Sequence, residues 1–430
     1  MATRFDPAGP LRGRLRPPPD KSISHRAALI AAMGEGETPI DGFLDSADTH
    51  STLAAVRALG ATVEHGGEDG LGPMIRIRGV GLRGARATKI DVGNAGTLLR
   101  LLPGWLAGQP EGSWTLDGDD SIRRRPVDRI AAPLGEMGAR LSCRDDRLPP
   151  LEVEAAPLRG ISYEMPIASA QVKSCLLFAG LLAEGDTWVG EPARSRDHTE
   201  RMLAAAGANV AWLRGGVSIR SAKRLEPEAL AVPADFSSAA FFLVAALLVP
   251  GSEVTLTGVG TNPTRTGLLT ILERMGAEIE VEVEGKHGGE PIGTLRARAS
   301  ALRGTEVGGK EVPLAIDELP LVALAACFAE GETLIRDAAE LRRKESDRVA
   351  TTCAALTALG GEAEPTEDGM RIGGGGLRGG AIESHGDHRI AMLGAIAGLA
   401  SREGVEVEGM GAAAVSYPGF EADLASLSSP

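Results

Sequence analysis

One pattern recurs five times along the chain: an amphipathic helical stretch, a glycine, then a short run of strand-like alternation. The copies are LAAVRALGATVE (53–64), APLGEMGARLSC (132–143), MLAAAGANVAW (202–212), ILERMGAEIEVEV (271–283) and CAALTALGGEAE (353–364). In each, apolar residues fall at i, i+3 and i+4, and the glycine offers a left-handed helix cap. The marker glycines Gly60, Gly138, Gly207, Gly276 and Gly360 lie 78, 69, 69 and 84 residues apart. That interval is too long for a solenoid repeat and suits a βαβαββ unit. Six units of this size fill 430 residues, the sixth being assembled from rearranged ends. Ordinary helix caps explain one or two such copies, but not five at near-regular spacing. The chain is α/β and built by repetition.

Two polar, Pro-marked segments, 16–20 and 232–235, look like places where the chain passes between halves. Half the chain lies between them and holds three of the marked repeats. The expected organisation is a discontinuous domain, 1–19 and 236–430, with a second domain, 20–235, inserted in it. Paired crossings make a hinge, and a site is expected in the cleft between hinged domains.

Composition narrows the function. Phe, Tyr and Trp together number only 14, too few for a base-stacking surface. The net charge of −13 argues against nucleic acid or an anionic membrane as partner. Taken alone it also argues against anionic substrates. The start lacks the apolar segment of a secretory signal, and the longest apolar run, 239–249, is too short to span a bilayer. Cys143, Cys175, Cys327 and Cys353 are widely spaced, with no pairing or zinc-ligand rhythm. A cytoplasmic, monomeric protein is expected.

Polar motifs stand ahead of apolar helices in both halves. Asp20-Lys21-Ser22-Ile23-Ser24-His25-Arg26 opens one; Asp20 or Ser22 can cap it, leaving Lys21, Arg26 and backbone N–H groups to converge on an anion. Lys21 and Lys344 draw notice because the chain has only seven lysines. Gly93-Asn94-Ala95-Gly96-Thr97 lets a ligand approach backbone, although alone it is an ordinary glycine turn. Arg123-Arg124-Arg125 follows an acidic turn; most of such a run is solvated, yet one guanidinium can grip an anion bidentately. Ser169-Ala170-Gln171 opens another helix, and Ser195-Arg196-Asp197-His198 precedes the third marked one. In the second half Asp317 stands at the mouth of an apolar run, either as a simple cap or as a proton-transfer group tuned by desolvation. Glu345 and Arg348, three apart, share a helix face beside Lys344, and Arg389 opens a last apolar helix. Helix N-termini are positive ends, so several aimed into one cleft make an electropositive pocket for small multi-anions. No Walker loop, dinucleotide fingerprint or His/Cys metal cluster accompanies them.

DKSISHRA, NAGT, Arg124-Arg125-Pro126, SAQ, SRDHTE, IDELP, KESDR and DHRIAM stand in one order over nearly the whole chain. In these the chain resembles the 5-enolpyruvylshikimate-3-phosphate synthases (3-phosphoshikimate 1-carboxyvinyltransferases). The resemblance implies a two-domain inside-out α/β barrel of the enolpyruvyl transferase type, each domain three βαβαββ units. It implies transfer of the enolpyruvyl group of phosphoenolpyruvate to the 5-hydroxyl of shikimate-3-phosphate, without metal or organic cofactor. By motif, Lys21, Ser22, Arg26, Ser169, Ala170, Gln171, Arg196, Asp317 and Lys344 serve shikimate-3-phosphate. Lys21, Asn94, Gly96, Arg125, Gln171, Arg348 and Arg389 serve phosphoenolpyruvate. Asp317 and Glu345, with Lys21, match the catalytic positions, Asp317 near the 5-hydroxyl and Glu345 or Lys344 near C3.

Two positions depart from the pattern. Val415 stands where some relatives carry Lys, and Leu101 where many glyphosate-sensitive relatives have Pro, while Gly96 keeps the residue that goes with sensitivity. Two competing readings are the related transferase acting on UDP-N-acetylglucosamine and a non-catalytic anion-binding protein. The first uses a loop cysteine that none of the four here matches; the second has no use for Asp317 and Glu345.

Overall fold

A computed structural model describes residues 2–69 and 72–428. The repeats are helix-capping units in fact. Gly60, Gly138, Gly207, Gly276 and Gly360 all have φ between 86° and 107°. At each, the glycine N–H bonds back three residues and the next N–H bonds back five, as in Ala61 to Val56 (3.0 Å) and Ala277 to Leu272 (2.9 Å). This double bond satisfies the orphan carbonyls of the helix end and turns the chain directly into a strand.

Among the described residues those strands belong to six small sheets, five of four strands and one of three. Thr88–Asp91 lies parallel to Ser113–Asp117, which pairs antiparallel with Leu148–Glu154, and that with Arg140–Arg144. With helices Gly96–Ala107 and Asp128–Glu136 between, this is one complete βαβαββ unit. The units at 162–220 and 306–373 follow the same plan. The other three borrow strands from distant sequence. Leu230–Ala231 supplies the parallel strand beside Glu37–Asp41, and Arg12–Leu15 that beside Glu253–Gly260. In the sixth, Val405–Glu408 lies parallel to Gly380–Glu383 and pairs antiparallel with the N-terminal Ala2–Phe5. Hence the sixth repeat has no marker glycine: its hairpin is replaced by a strand from the other end of the chain.

Two compact units result. One comprises Met1–Pro18, Ala234–Gly285 and Pro291–Pro430; the other, here the inserted unit, Pro19–Pro233 and Lys286–Glu290. The chain leaves and returns side by side, with Asp20 N–H donating to the Pro233 carbonyl and Asp235 N–H to that of Pro18, both at 2.8 Å. The hairpin tip Lys286–Glu290 groups with the inserted unit, where Glu290, 1% exposed, accepts from His198 Nδ1 at 2.9 Å.

One apolar helix of each repeat packs at its unit's centre. In the inserted unit these are Lys21–Met33, Gly96–Ala107 and Ala170–Gly180; in the other, Phe236–Leu248, Leu319–Cys327 and His388–Ala400. All are buried around nearly their whole circumference, as helices apolar on every side must be. Helices inside and sheets outside is the inverse of a common α/β layering. It brings the N-termini of apolar helices, where the polar motifs stand, close to one another within each unit. Cys175, Cys327 and Cys353 are buried on these or neighbouring helices as small core side chains.

Candidate functional site

In the inserted unit, Asp20 rather than Ser22 caps the first central helix, accepting from Ile23 N–H at 2.8 Å. Lys21 is the helix's first residue, and its Nζ donates to Asp48 at 3.2 Å. Arg26 is 3% exposed. Its guanidinium donates to the Thr199 hydroxyl (2.7 Å), the Ser174 hydroxyl (3.0 Å) and the Ser22 carbonyl (2.9 Å), so three helix starts hold one cation. Burial pulls its pKa down to about 10, still charged at neutral pH. Arg196 lies near enough for its charge to act on Arg26. Beneath this cluster Lys173, 1% exposed, pairs with Glu200 (2.8 Å) and Glu191 (3.1 Å).

A second cluster joins the Gly96 and Gln171 motifs. Ser169 caps the helix that Ala170 begins, accepting from Val172 N–H. The Gln171 amide donates to Thr97 (3.2 Å) and its carbonyl oxygen accepts from Arg100 (3.3 Å). Arg125 donates to Asn94 (3.0 Å), whose amide donates to Asp119 (2.6 Å). A β-carbon on Gly96 would lie 2.9 Å from Arg125 Nη1 and 3.1 Å from Arg100 Nη1. Glycine there leaves room for two guanidinium groups, a packing reason for its small size.

In the other unit Arg348 is the hub. It is 1% exposed and donates to Asp317 (3.2 Å), to Glu345, and to Asp387 through Nε (2.9 Å) and Nη2 (3.3 Å). Lys344 Nζ reaches the same Asp317 oxygen at 3.1 Å. Burial works against the Arg348 charge, but Glu345, Asp387 and Asp317 outweigh it and raise its pKa. Burial likewise disfavours the Asp387 carboxylate, yet Arg348 holds its pKa below the usual range. Asp387 also caps the last central helix, accepting from Arg389 N–H at 2.9 Å. Asp317 is not a helix cap; Glu318 takes that place, without a side-chain cap bond. Nor does Glu345 lie on a helix. It sits in the turn before Asp347 caps Arg348–Ala358, and the pairing with Arg348 forms across that turn. Arg389 donates to the Asp317 carbonyl (3.0 Å) and to Glu318 (3.4 Å).

Asp317, Lys344, Glu345, Arg348 and Arg389 are thus one hydrogen-bonded group, as are Asn94 with Arg125 and Gln171 with Thr97 and Arg100. Val415, one of the two positions that depart from the pattern, is 41% exposed at the end of a 3₁₀ turn. Asp48, Arg100, Ser174, Thr199 and Arg265 also join these clusters, and Glu318 and Asp387 take roles that their motifs alone do not reveal. Arg100 had a usable signal, lying one turn after Gly96; Arg265 had none. Among the described residues no group of His, Cys, Asp and Glu could hold a metal ion.

The model of the family described as EPSP synthase (3-phosphoshikimate 1-carboxyvinyltransferase) matches residues 5–424. The chain belongs to the EPSP synthase family. Similar family members include the 3-phosphoshikimate 1-carboxyvinyltransferase of Alkalilimnicola ehrlichii, 51% identical over 98% of this chain and 94% of that protein. That of Thermus thermophilus is 51% identical over 99% of both. The EPSP synthase structure from Acinetobacter baumannii superposes with a TM-score of 0.89 at 42% identity, over 99% of this chain and 98% of that one. The inside-out fold described above is therefore the EPSP synthase fold.

Proposed function

We propose that the chain transfers the enolpyruvyl group of phosphoenolpyruvate to the 5-hydroxyl of shikimate-3-phosphate. The product is 5-enolpyruvylshikimate-3-phosphate, with release of phosphate. The observation that carries the site assignment is the group around Arg348: two carboxylates, Asp317 and Glu345, beside Lys344 and Arg389. An anion-binding protein needs the cations alone. A reaction that moves a proton off a hydroxyl and another onto carbon needs the carboxylates as well.

In the addition, the 5-hydroxyl oxygen bonds to C2 of phosphoenolpyruvate, loses its proton, and C3 gains one. In the elimination, the C2–O bond to phosphate breaks as C3 gives its proton back, leaving the enol ether. Asp317 takes the hydroxyl proton; the cations 3.1 and 3.2 Å from it stabilise the carboxylate form that can accept one. Glu345 or Lys344 serves C3. Lys21, Ser22, Arg26, Ser169, Ala170, Gln171 and Arg196 bind shikimate-3-phosphate, and Asp317 and Lys344 meet it at the reacting hydroxyl. Lys21, Asn94, Gly96, Arg125, Gln171, Arg348 and Arg389 bind phosphoenolpyruvate. Arg26 and Arg348 arrive already held by protein acceptors, and Gln171 by Arg100 as donor and Thr97 as acceptor, which fixes their direction before a ligand binds. The chain acts as a monomer in the cytoplasm; its four free thiols suit a reducing compartment.

Asp317→Ala tests the assignment. Arg348 keeps Glu345 and Asp387, so the fold should survive. Turnover should fall about 10²–10⁴-fold, the usual worth of a positioned proton-transfer group, with shikimate-3-phosphate binding nearly unchanged. Near-normal turnover would remove Asp317 from the chemistry.

A further inference from the structure

Glu318 follows Asp317 in the chain and is fully buried, 0% exposed. Its carboxylate is nonetheless crowded with donors. Oε2 accepts from Arg265 at 2.6 Å; Oε1 accepts from the Ser237 hydroxyl and, at 3.4 Å, from Arg389 Nη1. The same Nη1 donates to the Asp317 carbonyl at 3.0 Å. Arg265, 4% exposed, also lies 3.8 Å from Asp235 and over the Phe236 ring, 5.9 Å from its centroid. Burial raises the Glu318 pKa on its own, but Arg265 and then Arg389 bring it below the usual range, so the group is ionised.

A buried cluster of this kind is a poor stabiliser. Desolvation cancels much of the Coulomb gain, and apolar residues of like volume often do as well. What apolar residues cannot do is aim a cation. Arg389 is gripped through Nη1 alone, and its Nε and Nη2 have no hydrogen-bond partner among the described residues. The free edge of the fork is the part that can meet a carboxylate or phosphate bidentately.

We propose that Glu318 is a positioning residue: with Arg265 as its fixed counter-charge, it holds Arg389 by one nitrogen so that the free edge meets phosphoenolpyruvate beside Asp317. The proposal rests on the reading above that Arg389 binds phosphoenolpyruvate. Glu318 itself touches neither substrate, so its loss should appear in one substrate's KM rather than in both.

The test compares Glu318→Gln, Ser237→Ala and Arg389→Gln in steady-state assays, with folded sites counted by shikimate-3-phosphate titration. Gln keeps the volume and removes the charge. Ser237→Ala keeps every charge and removes one of the two donors to Oε1, so it stands in if Glu318→Gln fails to fold. For Glu318→Gln we expect the KM for phosphoenolpyruvate to rise about ten- to a hundredfold, the worth of one hydrogen bond to a charged group. The KM for shikimate-3-phosphate should change less than about twofold. Ser237→Ala should shift in the same direction by a smaller factor. An unchanged phosphoenolpyruvate KM in both variants, with a raised one in Arg389→Gln, overturns the positioning role alone. Equal losses for the two substrates overturn it as well, since general loosening would do that. If Arg389→Gln leaves that KM unchanged, the assignment of Arg389 falls and the positioning role falls with it.

Discussion

At the scale of single residues, burial decides what each polar group can do. His25 lies inside the first motif, 1% exposed, its Nδ1 2.6 Å from the Thr52 hydroxyl and its Nε2 without a hydrogen-bond partner among the described residues. Burial, helped by the charges of Lys21 and Arg26, outweighs Asp48 and Asp20 and pulls its pKa from 6.5 to about 3. The unfolded chain therefore binds the proton more readily than the folded one between these values. The stability His25 contributes is complete above pH 6.5 and is lost as pH falls toward 3, by about 1.4 kcal/mol per pH unit. Denaturant unfolding at several pH values should show His25→Gln losing less stability on acidification than the parent; parallel profiles would contradict this. The sequence made His25 visible only as one polar residue in a dense motif. Its neutral, buried state depends on Thr52 and on packing, which no local pattern records. The same holds for Glu318 and Arg265, 53 residues apart and meeting only when two repeats close. Lys21, Asp317 and Glu345, by contrast, stand out in the sequence because each lies in a dense polar motif at or just ahead of an apolar helix.

At the scale of elements, the glycines divide into those that turn the chain and those that let helices touch. Gly207 ends a helix at φ 87°, and a β-carbon there would meet nothing within 4 Å. Gly104 lies inside Gly96–Ala107, and its β-carbon would sit 2.0 Å from the carbonyl oxygen of Cys175 on Ala170–Gly180. Gly207→Ala should cost about 1–2 kcal/mol of stability, the penalty of the left-handed region, and leave activity alone. Gly104→Ala must separate two helices that carry Gly96, Arg100 and Gln171. It should cost at least as much stability and also raise the KM for phosphoenolpyruvate. Denaturant midpoints and kinetics on both variants check this; equal behaviour of the two would refute the distinction. The five cap glycines were readable because a left-handed cap is a local demand with a local solution. Gly104 was not, since its reason lies on another helix. The borrowed strands 2–5, 12–15 and 230–231 were equally out of reach, being too short to announce a partner so far away in sequence.

At the scale of the whole molecule, a net charge of −13 coexists with a dense set of committed cations. The excess acid is largely surface charge: Glu280 pairs with Arg296 and Arg298 in the open, all three about half-exposed. Lys21, Arg348 and Arg389 stand instead in the first turn of a helix, where backbone N–H groups add to their charge; Arg26 lies one turn farther on, and Arg125 and Lys344 sit in turns ahead of a helix. Composition sums over both populations and so misjudges the sign that a substrate meets. The repeat that organises the fold also places Lys21, Arg26 and Arg389, whose central helices open with a polar motif. The most direct test is phosphate release from phosphoenolpyruvate by the purified chain, with shikimate-3-phosphate or UDP-N-acetylglucosamine as acceptor. Release with the first acceptor and none with the second is the predicted result. Release only with the sugar nucleotide, or with neither, would contradict the account.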